Sequence, residues 1–197
     1  MDNGKPREGQ LCRLVIDGYA SDGAGVARLD GMVVFVQGGI RGEACDVRLT
    51  HVGRSALWGR VEEVVNPSPA RIFPRCLHYT KCGGCQFRHM TYAEELRAKG
   101  QRVADALERV GGVKLDWPPV LGAERPEHYR NKVQFPVAEE KRGLAIGYYR
   151  PRSHDVLDAP DCLLQPLTVT ALRGAVKNWM EQYQVPAYRE EEGTGLI

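Results

Sequence analysis

The chain has 197 residues, of which 43% are hydrophobic, and 27 Lys and Arg against 25 Asp and Glu leave a net charge of +2. This composition excludes a disordered chain, and the total charge by itself gives no argument for nucleic-acid binding. No apolar stretch approaches the roughly 20 residues that a membrane span requires. The opening residues lack the apolar core of a secretion signal, so we expect a cytoplasmic protein with reduced thiols and no membrane partner.

Residues 9 to 65 show the pattern of short strands separated by Gly and Asp turns. The segment Leu11–Asp17 alternates in polarity, and Asp30-Gly31 separates two apolar runs in the manner of a two-residue hairpin. Five such strands within sixty residues predict a small closed β-barrel of the OB type. Asn66 to Pro69 ends the pattern, so residues 1–66 form the expected first domain and residues 67–197 the second.

Three cysteines, Cys76, Cys82 and Cys85, follow within ten residues, and Gly83-Gly84 lies between the last two. Thiolates are soft ligands, and such a cluster suits zinc or an iron–sulfur group. The glycines allow the tight backbone turn that brings two neighbouring thiolates to one centre. Four-coordinate sites need a fourth ligand, and Cys162 is the only cysteine further along the chain.

Spacing alone does not separate zinc from iron–sulfur, because four thiolates can hold either. Disulfides are a third possibility, disfavoured by the expected reducing compartment. The other reading of a cysteine, a small buried hydrophobe, suits Cys12 and Cys45, which alternate with aliphatic residues in the strand region.

A helix is predicted from Thr91 to about Val110, because Thr91 and Glu94 have the spacing of a capping box and Gly111-Gly112 stops the pattern. Its apolar stripe consists of Tyr92, Leu96, Val103, Leu107 and Val110. A small barrel offers little surface to cover such a stripe, so we expect the helix of residues 91–111 to be partly exposed; the family resemblance described below implies that it packs on a catalytic domain outside this chain.

The second half predicts two strands, Lys132–Pro136 and Leu144–Tyr149, joined by a polar turn at residues 139–143. A further helix is expected to start near Pro166 and to end before Pro186. Its predicted buried stripe consists of Val169, Leu172, Val176, Met180 and Tyr183. The fold class is therefore α+β, with a barrel followed by an incomplete α/β domain that bears the four cysteines.

Basic residues concentrate around the cysteines, with seven Lys and Arg against two acids from Arg71 to Arg102, and seven against four from Arg125 to Asp155. A local basic surface can contact phosphates even when the net charge is small. Charge alone equally fits an ordinary solvated face.

Together these motifs resemble the front part of the TRAM-containing RNA (uracil-5-)methyltransferases, which make 5-methyluridine in 23S ribosomal RNA. The glycine-punctuated run Gly18–Arg28 is similar to the TRAM module. Tyr129–Val133, Gly147–His154 and Asp161–Pro166 are similar to motifs of the family's central domain. The resemblance implies that Cys76, Cys82, Cys85 and Cys162 hold a [4Fe-4S] cluster. It favours 23S ribosomal RNA as the partner over transfer RNA.

The family's S-adenosylmethionine site, nucleophilic cysteine and general base lie in a C-terminal half whose motifs these 197 residues lack. We expect the chain to be a fragment of something longer that does not methylate RNA by itself. The apolar last residues, which read as the opening of a strand, give the same expectation.

The candidate RNA contacts are basic or planar side chains near the cysteine motifs; they are Arg130, Asn131, Lys132, Arg150, Arg152 and Phe87. Packing is the alternative for Phe87, a solvated strand end for Arg130 and Lys132, and a local turn for Asn131. His89 and His154 are expected to lie at the surface or to form hydrogen bonds. Two other functions stay open. The chain could be a non-enzymatic zinc- or cluster-containing RNA-binding module, or it could be an electron-transfer protein. The sequence has no flavin or nicotinamide motif, which disfavours electron transfer.

Overall fold

The computed structural model describes three stretches of the chain, residues 5–114, 119–141 and 143–196. They divide into two compact units. The first unit comprises the described residues of Met1–Phe73 and Gln86–Leu121, and the second comprises those of Pro74–Cys85 and Gly122–Ile197. The chain therefore leaves the first unit for the cysteine loop, returns to it for a helix, and leaves again. This interleaving differs from the single boundary expected at residue 66.

Six strands of the first unit form one curled sheet in the order β1-β5-β6-β4-β3-β2. The strands are β1 Leu11–Val15, β2 Gly18–Tyr19, β3 Gly25–Leu29, β4 Met32–Gln37, β5 Ala44–Val52 and β6 Ala56–Asn66. All neighbouring strands are antiparallel except β4 and β6, which run parallel. The sheet curls in the manner of an OB-like domain.

The expected closed barrel of five strands is corrected to a half-barrel of six. The additional strand β2 is only two residues long, too short for a periodicity argument, and pairs with the start of β3. Instead of a closing strand pair, the Asp17 amide donates to the Val26 carbonyl at 2.8 Å.

Strand alternation directs one set of side chains into the concave core of the curled sheet, as the sequence predicted. Val34, Val36 and Leu57 are fully buried there. Cys12 and Cys45 belong to the same cluster, which confirms them as small core residues.

The hairpin predicted at Asp30-Gly31 is also confirmed. Both residues have positive φ, 49° and 83°, and Leu29 pairs with Met32 across the two-residue loop.

Helix α1, Tyr92–Arg109, belongs to the first unit. The Thr91 hydroxyl accepts from the Glu94 amide at 3.4 Å, which confirms the N-cap. Glu94 does not complete the capping box. Its carboxylate is buried and accepts from the Tyr19 hydroxyl at 2.8 Å, which ties the helix to the curled sheet.

The apolar stripe of α1 is largely open to solvent within this chain, as expected. Val103 is 50% exposed, Leu107 36% and Val110 88%. Leu96 is half-buried, and Ala98 is the buried apolar residue of the helix.

The second unit contains a three-stranded antiparallel sheet and one helix; they are β7 Val137–Glu140, β8 Gly143–Tyr149, β9 Val156–Asp158 and α2 Leu167–Gln182. Its described strands are all antiparallel, so the unit is α+β and not the expected α/β. Strand β9 leaves no room for a side chain at Gly147, because an added Cβ would clash with the Leu157 carbonyl oxygen.

The strand predicted at Lys132–Pro136 is wrong, because pairing with β8 starts only at Val137. Pro136 can accept from the Gly147 amide, at 3.2 Å, but has no N–H to donate, which ends the ladder. The predicted turn also shrinks, since Glu140 already pairs with Gly143.

The buried face predicted for α2 is wrong as well. Leu172, Val176 and Tyr183 are exposed, and Met180 alone of the predicted stripe is fully buried. The inner face carries Arg173, whose Nε donates to the Ile146 carbonyl at 2.7 Å and whose guanidinium pairs with Asp158. None of the helices in the described part of the chain has the length and apolar character to cross a membrane.

Candidate functional site

The cysteine loop, Cys76–Cys85, is shaped by tight backbone turns. The Cys82 amide donates to the His78 carbonyl at 2.8 Å, and the Gly84 amide nitrogen lies 3.3 Å from Cys82 Sγ. An N–H directed at sulfur favours the thiolate form that binds metals. Neither Gly83 nor Gly84 has a positive φ, so the role predicted for the glycines in the turn stays a prediction.

All four predicted ligands line one cavity of about 30 Å³ in the second unit. The loop contributes Cys76, Cys82 and Cys85, and the segment between β9 and α2 contributes Cys162. The side chains of Tyr148 and Leu164 form part of the surrounding wall. Four thiols separated widely in sequence thus share one small cavity.

A zinc ion and a four-iron cluster place different demands on the spacing of four thiols. Within the described ranges, no three Cys, His, Asp or Glu side chains converge closely enough to hold one metal ion. Four sulfurs about 2.3 Å from a zinc ion would lie only about 3.8 Å from one another. A four-iron cluster places irons and sulfides between its cysteines, which therefore stand farther apart. An all-thiol donor set suits either group.

Electrostatics also mark the cavity as a place for a positively charged group. Burial raises the pKa of the Cys82 thiol, and the neighbouring thiols of Cys162 and Cys76 raise it further, while the Gly84 amide and Arg130 lower it. Thiolates packed this closely repel one another. A cationic centre bound among them would remove that repulsion and hold them deprotonated.

Buried polar contacts fix the segment that carries Cys162. Gln165 is fully buried, accepts from the Tyr148 hydroxyl at 3.1 Å and donates to the Thr170 hydroxyl at 3.0 Å. Burial and a hydrogen bond with Cys162 raise the pKa of Tyr148. The fourth cysteine is therefore held against strand β8 and the first turn of α2.

His78 provides a second tie between the two cysteine segments. Its Nε2 lies 2.6 Å from the Asp161 carboxylate, which joins the loop to the residue just before Cys162. His78 also lines the cavity, although the sequence motifs gave no role to it.

Arg130, for which an RNA contact stays a prediction, lies in the wall of the cysteine cavity. Its amide donates to the Leu164 carbonyl at 3.0 Å. At this position the guanidinium favours the charged form of Cys82. The structure thus places Arg130 as an electrostatic neighbour of the thiols.

The other basic candidates lie at the surface of the second unit. Asn131, Lys132 and Arg152 are exposed, and Arg150 is half-buried. Among the described residues, none of the three cations pairs with a carboxylate. Their charges are therefore available to a ligand.

Phe87 and His89 both fall in the first unit. The Phe87 ring packs against the turn at Gly23, where an added Cβ would lie 2.9 Å from the ring. His89, expected at the surface or in hydrogen bonds, is 5% exposed and bonds to the backbone of Gly39 and Gln86. His154 is exposed, as expected.

The sequence motifs did not predict an aromatic surface that lies on the curled sheet. The ring of Trp58 lies 5.8 Å from that of Phe35 on β4 and 5.3 Å from that of His51 on β5. Arg60 lies two residues beyond Trp58 on the same face and is exposed. The sequence contained a signal for this surface, namely large aromatic side chains at outward positions of two paired strands. An OB-like sheet uses such rings to stack on bases.

Residues 5–61 match the family model of the TRAM domain, so the curled sheet is a TRAM domain. The rest of the chain is also shared with known proteins. An RNA methyltransferase of Clostridium tetani, itself uncharacterized, is 40% identical over 184 residues, which are 93% of this chain and 40% of that protein. One from Caldanaerobacter subterraneus is 34% identical over 98% of this chain and 43% of its own length.

These matches confirm the resemblance to TRAM-domain RNA methyltransferases, and the chain spans about 40% of the length of such relatives. A solved structure shares the fold: the Pyrococcus abyssi tRNA (uracil-54, C5)-methyltransferase in complex with S-adenosyl-L-homocysteine aligns with a TM-score of 0.62 at 23% identity. The alignment covers 93% of this chain and 40% of that one.

Proposed function

We propose that this chain is the RNA-binding, cluster-bearing portion of an S-adenosylmethionine-dependent RNA uracil-C5 methyltransferase that acts on 23S ribosomal RNA. The observation that carries the proposal is the sequence identity of 34–40% with RNA methyltransferases along 93% or more of the chain. The TRAM match and the cavity lined by four cysteines support it. S-adenosylmethionine would bind to a part of the enzyme outside these 197 residues.

The cluster would be held by Cys76, Cys82, Cys85 and Cys162. Support comes from the all-thiol donor set of the cavity and from the effect of the neighbouring thiols on the charge of Cys82. Bound there, a [4Fe-4S] group would cross-link the loop to the segment before α2. Arg130 would offset part of its negative charge, and Tyr148 would form part of the wall beside Cys162.

The TRAM sheet would bind unpaired RNA through its aromatic surface, Phe35, His51 and Trp58, with Arg60 beside it. Each base has a flat face that can stack on such rings whatever its identity. Sequence selection would therefore come from elsewhere in the complete enzyme. Transfer RNA is the alternative substrate, since the solved structure that shares the fold is named as a tRNA methyltransferase.

The cluster is tested by anaerobic purification of the chain with iron and sulfide analysis. We expect a brown protein with broad absorbance near about 400 nm and about four irons per chain, lost in a Cys85→Ser variant and kept in a Cys45→Ser variant. A colourless protein with one zinc per chain would contradict the cluster and favour a zinc-containing RNA-binding module.

The RNA partner is tested by competition between bacterial 23S ribosomal RNA and transfer RNA for the anaerobically purified chain. We expect ribosomal RNA to compete more strongly per nucleotide, and Trp58→Ala to weaken binding of both. The matched control is Tyr188→Ala, an exposed aromatic of the second unit. Equal competition by the two RNAs would contradict the assignment to ribosomal RNA.

A further inference from the structure

A surface groove of about 620 Å³ runs along one side of the second unit. It is lined by Gly83 and Gly84 of the cysteine loop and by the stretch Tyr148–His154 at the end of β8. This lining contains two arginines and a histidine but no carboxylate. A groove with that charge suits an anionic ligand.

The turn at the mouth of the groove holds Arg152 in an unusual backbone conformation. The Ser153 amide donates to the Arg150 carbonyl at 3.3 Å, Pro151 occupies the second position, and Arg152 has a φ of 56° at the third. Proline followed by a positive φ is the signature of a type II turn, whose third position strongly favours glycine. An arginine there costs stability, and such strain is typical of functional sites.

The two arginines of this turn lack internal ion-pair partners. Within the described part of the chain, neither Arg150 nor Arg152 pairs with a carboxylate, whereas Arg189 of the same unit pairs with both Glu139 and Glu192. Unpaired guanidiniums on a rigid turn are suited to bind phosphate oxygens in a bidentate manner.

Two rings flank the turn. The centroids of Tyr149 and His154 lie 5.6 Å apart with their planes tilted by 52°, and Tyr149 is 49% exposed. An exposed ring beside unpaired arginines is the arrangement that proteins use to stack an unpaired base next to its phosphate.

The cysteine loop forms the opposite wall of the groove. The Gly83 amide donates to the Tyr149 carbonyl at 3.1 Å, and a Cβ on Gly83 would lie 3.2 Å from that oxygen. The position of the Tyr149 backbone is therefore fixed by the loop that carries three of the four cysteines.

We propose that this groove binds one unpaired nucleotide of RNA, with its base against Tyr149 and His154 and its flanking phosphates on Arg150 and Arg152. The proposal rests on the RNA-binding function proposed above and assigns to it a second contact, separate from the aromatic surface of the TRAM sheet. The strain at Arg152 is retained because a glycine could not reach a phosphate.

The test uses the anaerobically purified chain and an eight-nucleotide oligouridine with 2-aminopurine at its centre, whose fluorescence falls when the base stacks. Arg152→Gly is expected to raise the melting temperature, since it relieves the strained φ, and to weaken binding about tenfold. For this variant, the slope of log affinity against log salt concentration should become shallower by about 0.7, which is the value for one phosphate contact on a single strand. Arg152→Lys, which keeps the charge and the strain, should retain most of the slope.

Gln184→Gly is the matched control, because Gln184 in the same unit also has a positive φ, 52°, but lies away from the groove lining. This variant should gain stability and bind RNA like the unchanged chain. Tyr149→Leu should lose the stacking signal and bind about five- to a hundredfold more weakly, the range for one stacked base, whereas Tyr149→Phe should keep both.

If the unchanged chain binds the oligonucleotide but Arg152→Gly and Tyr149→Leu bind it with the same affinity, slope and fluorescence, the groove inference is overturned and the proposed function is not. Equal affinity for a blunt RNA duplex of the same length would overturn the assignment to an unpaired nucleotide. If the unchanged chain binds neither this probe nor 23S ribosomal RNA, the proposed function itself fails.

Discussion

The two units of this chain bury different kinds of side chain. The curled sheet of the first unit encloses a continuous aliphatic core, in which Val34, Val36 and Leu57 have no exposed surface. The second unit has a smaller apolar core, and two of its most buried side chains, Gln165 and Arg173, are polar. Hydrophobic burial can hold the first unit together. The second relies more on polar contacts such as those of Gln165 and Arg173, so the same treatment should affect the two units differently.

The largest difference is expected from Cys162→Ser compared with Cys12→Ser. The proposed cluster would join Cys85 to Cys162 and close a loop of about 77 residues, and losing such a link would cost about 4–5 kcal/mol on the loop-closure scale. Cys12→Ser places a hydroxyl in the apolar core and should cost only about 1–2 kcal/mol. Hydrogen exchange resolved by segment measures both, since only Cys162→Ser should deprotect β7 to β9. Equal losses in the two variants would break the comparison.

Acid should destabilise the first unit in a defined window. Burial, and then the charge of Arg71, lower the pKa of His89 to about 4 from its ordinary 6.5. The unfolded chain therefore takes up this proton first, so stability falls as the pH drops from about 6.5 to about 4. The loss should reach about 3 kcal/mol.

Denaturant unfolding followed by Trp58 fluorescence measures this loss, and His89→Gln should flatten it. His154→Gln, at an exposed position, should leave the pH dependence of stability unchanged.

Glu43 contributes to the pH dependence of stability at lower pH. Its burial would raise the pKa of its carboxyl, but hydrogen bonds from Arg71, Ile40 and Ser68 hold it below the ordinary 4.5. Its part of the stability is lost only below that value, so a flat response between pH 6.5 and 4.5 would contradict the role of His89.

A smaller effect is expected in the second unit, where the buried charge and its partner can be removed one at a time. Asp158→Asn removes the counter-charge of Arg173, which is only 6% exposed, and should cost about 2 kcal/mol in thermal unfolding. Arg173→Met removes the buried charge together with its need for a partner and should change stability little. A larger loss in Arg173→Met than in Asp158→Asn would show that the hydrogen bond to Ile146 matters more than the charge.

The smallest effect on stability is expected on helix α1. Val103→Gln with Leu107→Gln should change the unfolding free energy by less than about 0.5 kcal/mol per site, because both side chains are at least 36% exposed. The same pair should reduce self-association, measured by light scattering at increasing concentration. The control is Ala98→Asn at a buried position, which should destabilise the first unit. Unfolding of the double variant would show that the stripe is covered within the chain.

Local signals in the sequence were reliable where local chemistry decides the structure. Asp30-Gly31 predicted its hairpin, because few residue pairs accept two positive φ values. Thr91 predicted its helix start, because its hydroxyl serves the next turn of the same helix. The motifs also predicted a shared site for four cysteines, and all four line one cavity, while their role as ligands stays a prediction.

Long-range packing decided the elements that the sequence predicted wrongly. The buried face of α2 was misassigned because Arg173 and Lys177 bind Asp158 on a strand distant in sequence, and hydrophobic periodicity does not register such pairs. Arg130 looked like a surface cation for the same reason, since its place beside Cys82 depends on pairing with Leu164. The Phe35 and Trp58 surface required the parallel register of β4 with β6, which joins strands separated by β5.

The interleaved path of the chain has a consequence for its synthesis. Cys76, Cys82 and Cys85 leave the ribosome together, and Cys162 follows about 77 residues later, which takes roughly 4–15 s at bacterial elongation rates. Helix α1 emerges within that interval and, through Glu94 and Tyr19, can complete the first unit. A nascent chain thus carries three reduced thiols for several seconds before the fourth is available. Any group that requires all four cysteines must be inserted after this delay, and protection of the waiting thiols from oxidation becomes a requirement of the cell that makes the protein.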